Sequence, residues 1–139
     1  MTGSTRALYT PAILAAATGL AAYPWDAALP LQGEARSRSC GSTIALGLVV
    51  DAEGRIARLG LRPHACAVGQ AAAHVFAAAA TGQDRAAIAA ARMALTAWLG
   101  GEAPQPDWPG IELLEPARAY PARHAAILLA WDAALAAFA

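Results

Sequence analysis

No lysine occurs in this chain. All ten basic residues are arginine, matched by ten acidic residues for a formal net charge of zero. With the excess of alanine, this fits the codon bias of a GC-rich genome and has no functional weight. Neither a basic stripe nor an arginine cluster stands out in the sequence, which argues against nucleic acid as a partner. Charged residues make up 14% and hydrophobic ones 58%, a balance that excludes disorder. Long apolar runs are also missing. Ala7 to Trp25 is interrupted by Pro11 and Pro24, and Pro63 to Gln83 by His64, Gln70 and His74. Neither makes a bilayer span of roughly 20 apolar residues. Only Arg6 precedes the first of these stretches, and Thr10-Pro11 reads as a helix N-cap followed by a first-turn proline rather than as part of a signal peptide. With two cysteines and no targeting segment, a disulfide framework is not expected. Free thiols in a reducing, cytoplasmic compartment are. No Ser-His-Asp set, phosphate loop or carboxylate pair is visible, so the sequence does not read as an enzyme.

The 139 residues suffice for one domain with one core, and residues 1–139 are read as a single domain. Alanine buries little area, so the core must rest on the sparser Leu, Ile, Val, Phe and Trp. Residues 11–22 read as a helix ended by Tyr23-Pro24. A short strand is expected near Leu31 to Ser37. From Thr43 to Val50, Ile44, Leu46, Leu48 and Val50 alternate with Ala45, Gly47 and Val49, the pattern of a strand. Asp51-Ala52-Glu53-Gly54 reads as a hairpin turn, and Arg55 to Arg62 as the return strand. Helices are expected over Cys66 to Ala80, then Arg85 to Leu99 with Asp84 as its cap, and finally Pro121 to Phe138. A Pro-rich loop from Ala103 to Pro109 holds Trp108. This order predicts an α+β fold: a small antiparallel β-meander covered on one face by helices, with a helical C-terminus.

Three motifs sit at the joints of these elements. Cys40-Gly41-Ser42 precedes the hairpin that turns at Asp51–Gly54. Cys66-Ala67-Val68-Gly69-Gln70-Ala71 opens a helix of small residues. Pro121-Ala122-Arg123-His124-Ala125-Ala126-Ile127-Leu128-Leu129-Ala130-Trp131 opens the last helix. In this order the motifs resemble those of iron–sulfur cluster assembly scaffolds of the NifU N-terminal, IscU and SufU type, over nearly the whole chain. The resemblance implies a NifU-like sandwich and a carrier function for iron, zinc or a [2Fe–2S] cluster. It also implies cysteine desulfurase and Fe–S recipient proteins as partners. The family pattern has Cys-Gly-Asp where this chain has Cys40-Gly41-Ser42, and a third cysteine where this chain has Ala126.

These departures narrow the candidate ligands. Ser42 carries a neutral hydroxyl, a poor ligand for zinc or iron. Cys40 and Cys66 alone cannot fill a tetrahedral site. His64, two residues before Cys66, points the same way if the segment stays extended, and is then either an added ligand or an exposed loop residue. His124 is two residues before Ala126, about 200° around a helix, so it does not directly replace a ligand at that position. It aligns with Leu128 and Trp131, as either a core residue with a satisfied hydrogen bond or a site residue. His74 reads as structural. At a helix N-terminus, Cys66 sits where negative charge is favoured. Arg123 either supports a thiolate or bound anion, or forms a surface ion pair. Three functions stay open: a metal or cluster carrier using Cys40, Cys66 and one or both of His64 and His124; a persulfide-accepting sulfur carrier; and a degenerate paralogue that binds only other proteins.

Overall fold

A computed structural model describes residues 8–38 and 41–139. Helix α1 (Pro11–Thr18) starts as the Thr10-Pro11 pair requires: Ile13 N donates to Thr10 Oγ1 at 3.1 Å, with Pro11 in the first turn. The expected helix over 11–22 tightens into a 3₁₀ turn at Gly19–Ala22. The change falls where the helix crosses His74, since a Cβ at Gly19 would lie 2.7 Å from that imidazole ring.

Strands β1 (Leu31–Arg36), β2 (Thr43–Val50) and β3 (Ile56–His64) form one antiparallel sheet in the order β1-β2-β3. The β2–β3 turn is closed by the Asp51 carboxylate, which accepts from Glu53 N at 2.9 Å and Arg55 N at 3.0 Å, while Gly54 takes φ +78. Alternation points Ile44, Leu46 and Leu48, all fully buried, toward the helices. Helix α2 (Ala67–Ala80), α3 (Arg85–Leu99, capped by Asp84 Oδ1 accepting from Ala87 N at 2.8 Å) and α4 (His124–Phe138) build the other layer. α4 lies directly on β1 and β2. The meander with helices on one face is therefore the architecture the alternation and helical spacing predict.

Beneath the sheet, Phe76 stacks on Trp108 with ring centroids 5.5 Å apart, and Trp131 meets both rings edge-on at 5.2 and 5.3 Å. Trp108 Nε1 donates to Val75 O at 2.9 Å, which ties the Pro-rich loop to α2. A long 3₁₀ run, Ile111–Ala119, follows, with a second turn at Pro121–Arg123 leading into α4. The helix expected from Pro121 thus opens as a 3₁₀ turn and becomes α-helical at His124, while no sequence pattern marks the run before it.

The opposite face of the sheet is not bare. Residues 23–30 cross it as a strap. Leu61 N donates to Tyr23 O at 3.0 Å, and Leu29 is buried against Gly47. Gly47 and Gly60 are partners in the β2–β3 register. A Cβ at Gly60 would collide with the Pro24 carbonyl oxygen, and one at Gly47 would lie 3.1 Å from Leu29 Cβ. Two side-chain-free positions side by side make the slot in which the strap lies. Its rim carries an Arg58–Asp26 ion pair at 3.0 Å and the Arg62 guanidinium 4.6 Å above the Trp25 ring. Among the described residues, no helix is long and apolar enough to cross a membrane.

Candidate functional site

Antiparallel register sets Arg36, Thr43 and His64 side by side at one end of the sheet. The loop joining β1 to β2 is drawn closed there. Ser37 N donates to Ser42 O at 2.8 Å, and Gly41 N donates to Ser37 O at 3.0 Å, with Gly41 at φ +69. Ser42 is buried, and its side of the loop is engaged in further bonding. Cys40 lies outside the described residues.

Two residues beyond β3, Cys66 is the N-cap of α2, with φ −64 and ψ 169. The expected helix thus starts one residue later, at Ala67. Cys66 is half-buried and packs against the core. Gln70 Nε2 reaches back to Ala65 O at 2.8 Å and braces the turn that presents it.

The first turn of α4 comes to the same place. Ala126 is 1% exposed, and a Cβ on Gly69 would lie 3.5 Å from Ala126 Cβ. Gly69 is three residues past Cys66, so the third motif packs against the first turn of the second. The loop before β2, the start of α2 and the start of α4 therefore meet at one end of the molecule.

The histidines do not all share this position. By strand alternation His64 lies on the face of Arg58 and Arg62, away from the helices, and it is exposed. His124 begins α4, half-buried, with Nε2 3.0 Å from the Arg118 carbonyl oxygen. A carbonyl only accepts, so Nε2 carries a proton, and in the neutral ring Nδ1 is then the lone-pair nitrogen. That arrangement serves a satisfied core histidine and a histidine ligand equally well. His74 is half-buried, its ring 6.0 Å from that of Tyr23. Arg123 Nη2 donates to Tyr9 Oη at 3.3 Å, a partner that nothing in the sequence around either residue signals.

Among the described residues no three His, Cys, Asp or Glu side chains converge to hold a metal ion. Residues 1–7 and Ser39 contain none of these types, so a three-donor centre would have to include Cys40.

No family sequence model matches the chain. No curated protein matches it either. Solved structures do. A nitrogen-fixing NifU-like protein (N-terminal) from Brucella abortus is 30% identical, with 95% of this chain and 92% of that one covered and a TM-score of 0.85. The chain belongs to the NifU-like N-terminal family. A SufU from the thermophile Fervidobacterium islandicum, named as a candidate iron–sulfur cluster assembly scaffold for the SUF system, shares the fold. It is 21% identical, with coverage of 91% and 93% and a TM-score of 0.79.

Proposed function

We propose that this chain is an iron–sulfur cluster assembly scaffold-like protein, a carrier rather than a catalyst. Its cargo would be iron, zinc or a [2Fe–2S] cluster, held through Cys40 and Cys66 with His124 or His64 as added ligand. One observation supports this reading above others: the loop after Cys40, the N-cap Cys66 and the first turn of α4 meet at one end of a NifU-like fold. Thiolate and imidazole both suit zinc and iron, and the two cysteines supply half of a tetrahedral set. A cysteine desulfurase and Fe–S recipient proteins are the partners proposed with that role, in the cytoplasm.

The test is elemental analysis and a UV–visible spectrum of protein purified anaerobically after expression with iron and zinc supplied. Near-stoichiometric metal is expected, lost in Cys40→Ser and in Cys66→Ser. Metal content unchanged in both variants would sink the proposal. Parallel His64→Ala and His124→Ala variants assign the added ligand.

A second reading has its own support. Ala126 supplies a buried methyl where the family pattern has a thiol, and Ser42 supplies a neutral hydroxyl. The chain would then bind desulfurase or recipient proteins and hold no cargo. Its signature is no metal and no sulfur added to Cys40 or Cys66 after incubation with a desulfurase and cysteine, with a desulfurase or recipient still retained in pull-down. Added sulfur on either thiol would instead mark a persulfide carrier.

A further inference from the structure

The sequence shows no arginine cluster, but the fold makes one. Arg36, at the end of β1, and Arg38, in the following loop, come together with Arg92 of α3 around a groove of about 380 Å³. Its floor is apolar, from Ala125, Leu128 and Leu129 on one side of α4. Asp132 lines it too, but that carboxylate already pairs with Arg92. Arg36 and Arg38 are exposed and have no ion-pair partner among the described residues. Arg36 and Arg38 thus leave two positive charges beside an apolar trough, Arg36 at the strand's end where register puts its side chain on the face of Thr43 and His64, in a chain whose net charge is zero.

We infer that this groove receives an extended acidic segment of a partner protein. Three features favour that occupant over a simple anion. The free guanidinium groups match carboxylates in charge and in fork geometry. An apolar floor gives a bare phosphate nothing to bond but accommodates apolar side chains between carboxylates. One wall continues from β1, which pairs only with β2 in the described sheet and so leaves an edge where an extended chain can lie. Ser37 both lines the groove and accepts from Gly41 in the loop that carries Cys40, so a docked segment would lie beside the candidate site. The inference rests on the scaffold reading only for the partner's role; the charge and shape of the groove do not depend on bound metal.

The experiment uses metal-free full chain and a short fluorescent peptide alternating glutamate and leucine, followed by anisotropy at low and high salt. Binding is expected at low salt, weakened by salt. It should fall about tenfold in the double variant Arg36→Gln/Arg38→Gln, as expected for losing charge-assisted hydrogen bonds. Arg55→Gln, at the far end of the sheet, should leave it unchanged. Circular dichroism checks that each variant is folded. The inference is overturned by no binding, by equal binding of the glutamine-for-glutamate peptide, or by an equal loss in Arg55→Gln. Stronger binding of inorganic phosphate or of a single-stranded oligonucleotide would overturn it too. Because no metal is present, failure here leaves the cargo proposal standing, and failure of the cargo proposal leaves the peptide result readable.

Discussion

Ala126 shows how much one side chain decides. It is buried against a glycine, so the space beyond its methyl toward α2 is bounded by a residue with no side chain of its own. Ala126→Cys is therefore expected to fit at a cost of about 1–3 kcal/mol and to place a third thiol beside the turn that presents Cys66. Zinc affinity, measured by competition with a chromophoric chelator, should rise above wild type. No rise would mean that the ligand set does not assemble at this end. Asp51 is a second case. The backbone N–H of Arg55, and after it that of Glu53, hold its carboxyl below the ordinary value of 3.8. A carboxyl lowered in the folded state contributes stability that is fully present above its unfolded value and lost as pH falls through the folded one. Asp51→Asn should thus have a lower Tm than wild type at neutral pH, and the gap should close as pH falls below about 4. A gap that is constant with pH would show the carboxylate charge to be irrelevant to the turn.

The elements were legible to unequal degrees. The β2–β3 hairpin could be read because Ile44, Leu46 and Leu48 alternate and Gly54 marks the turn. The starts of α1 and α3 could be read because Thr10 and Asp84 cap them. The 3₁₀ run Ile111–Ala119 could not. Pro116 sits inside it and no helical period marks it, while Gly110 at φ +88 and the Trp108 anchor set its position. How α4 meets β1 was hidden as well. A Cβ on Gly33 would collide with the Ala133 carbonyl oxygen and the Ala137 amide, both backbone atoms that have no rotamer to change. Gly33→Ala is expected to force the helix off the strand at about 1–3 kcal/mol, lowering Tm by roughly 3–10 °C. Glu34→Ala, one residue along on the exposed face, is the comparison. Equal thermal scans for the two variants would contradict the close contact.

Across the whole molecule, order along the chain revealed the architecture, because each motif sits at a joint between elements. Proximity in space was less legible. Ala126 meets the first turn of α2 only because α4 returns over α2, and Arg92 joins Arg36 and Arg38 only because α3 flanks α4. Spacing had made His64 and His124 comparable candidates. Strand alternation then put His64 on the face away from the helices, while His124 stayed at the head of α4. The strap over Gly47 and Gly60 left only a partial signal: a glycine inside a strand marks a bulge or a close backbone approach, but does not say which segment approaches.

That strap also has a history in time. Its floor, the β2–β3 pair, closes across a short local turn, whereas Tyr23 must find Leu61 from far along the chain. Local contacts form at low entropic cost and distant ones wait for them. The strap is therefore expected to settle after the folding barrier and to loosen before it on the way back. Asp26→Ala, which removes the Arg58 pair and the bond to Ala28 N, should speed unfolding in stopped-flow experiments and leave the refolding rate nearly unchanged. A slowed refolding limb would place the strap inside the nucleus.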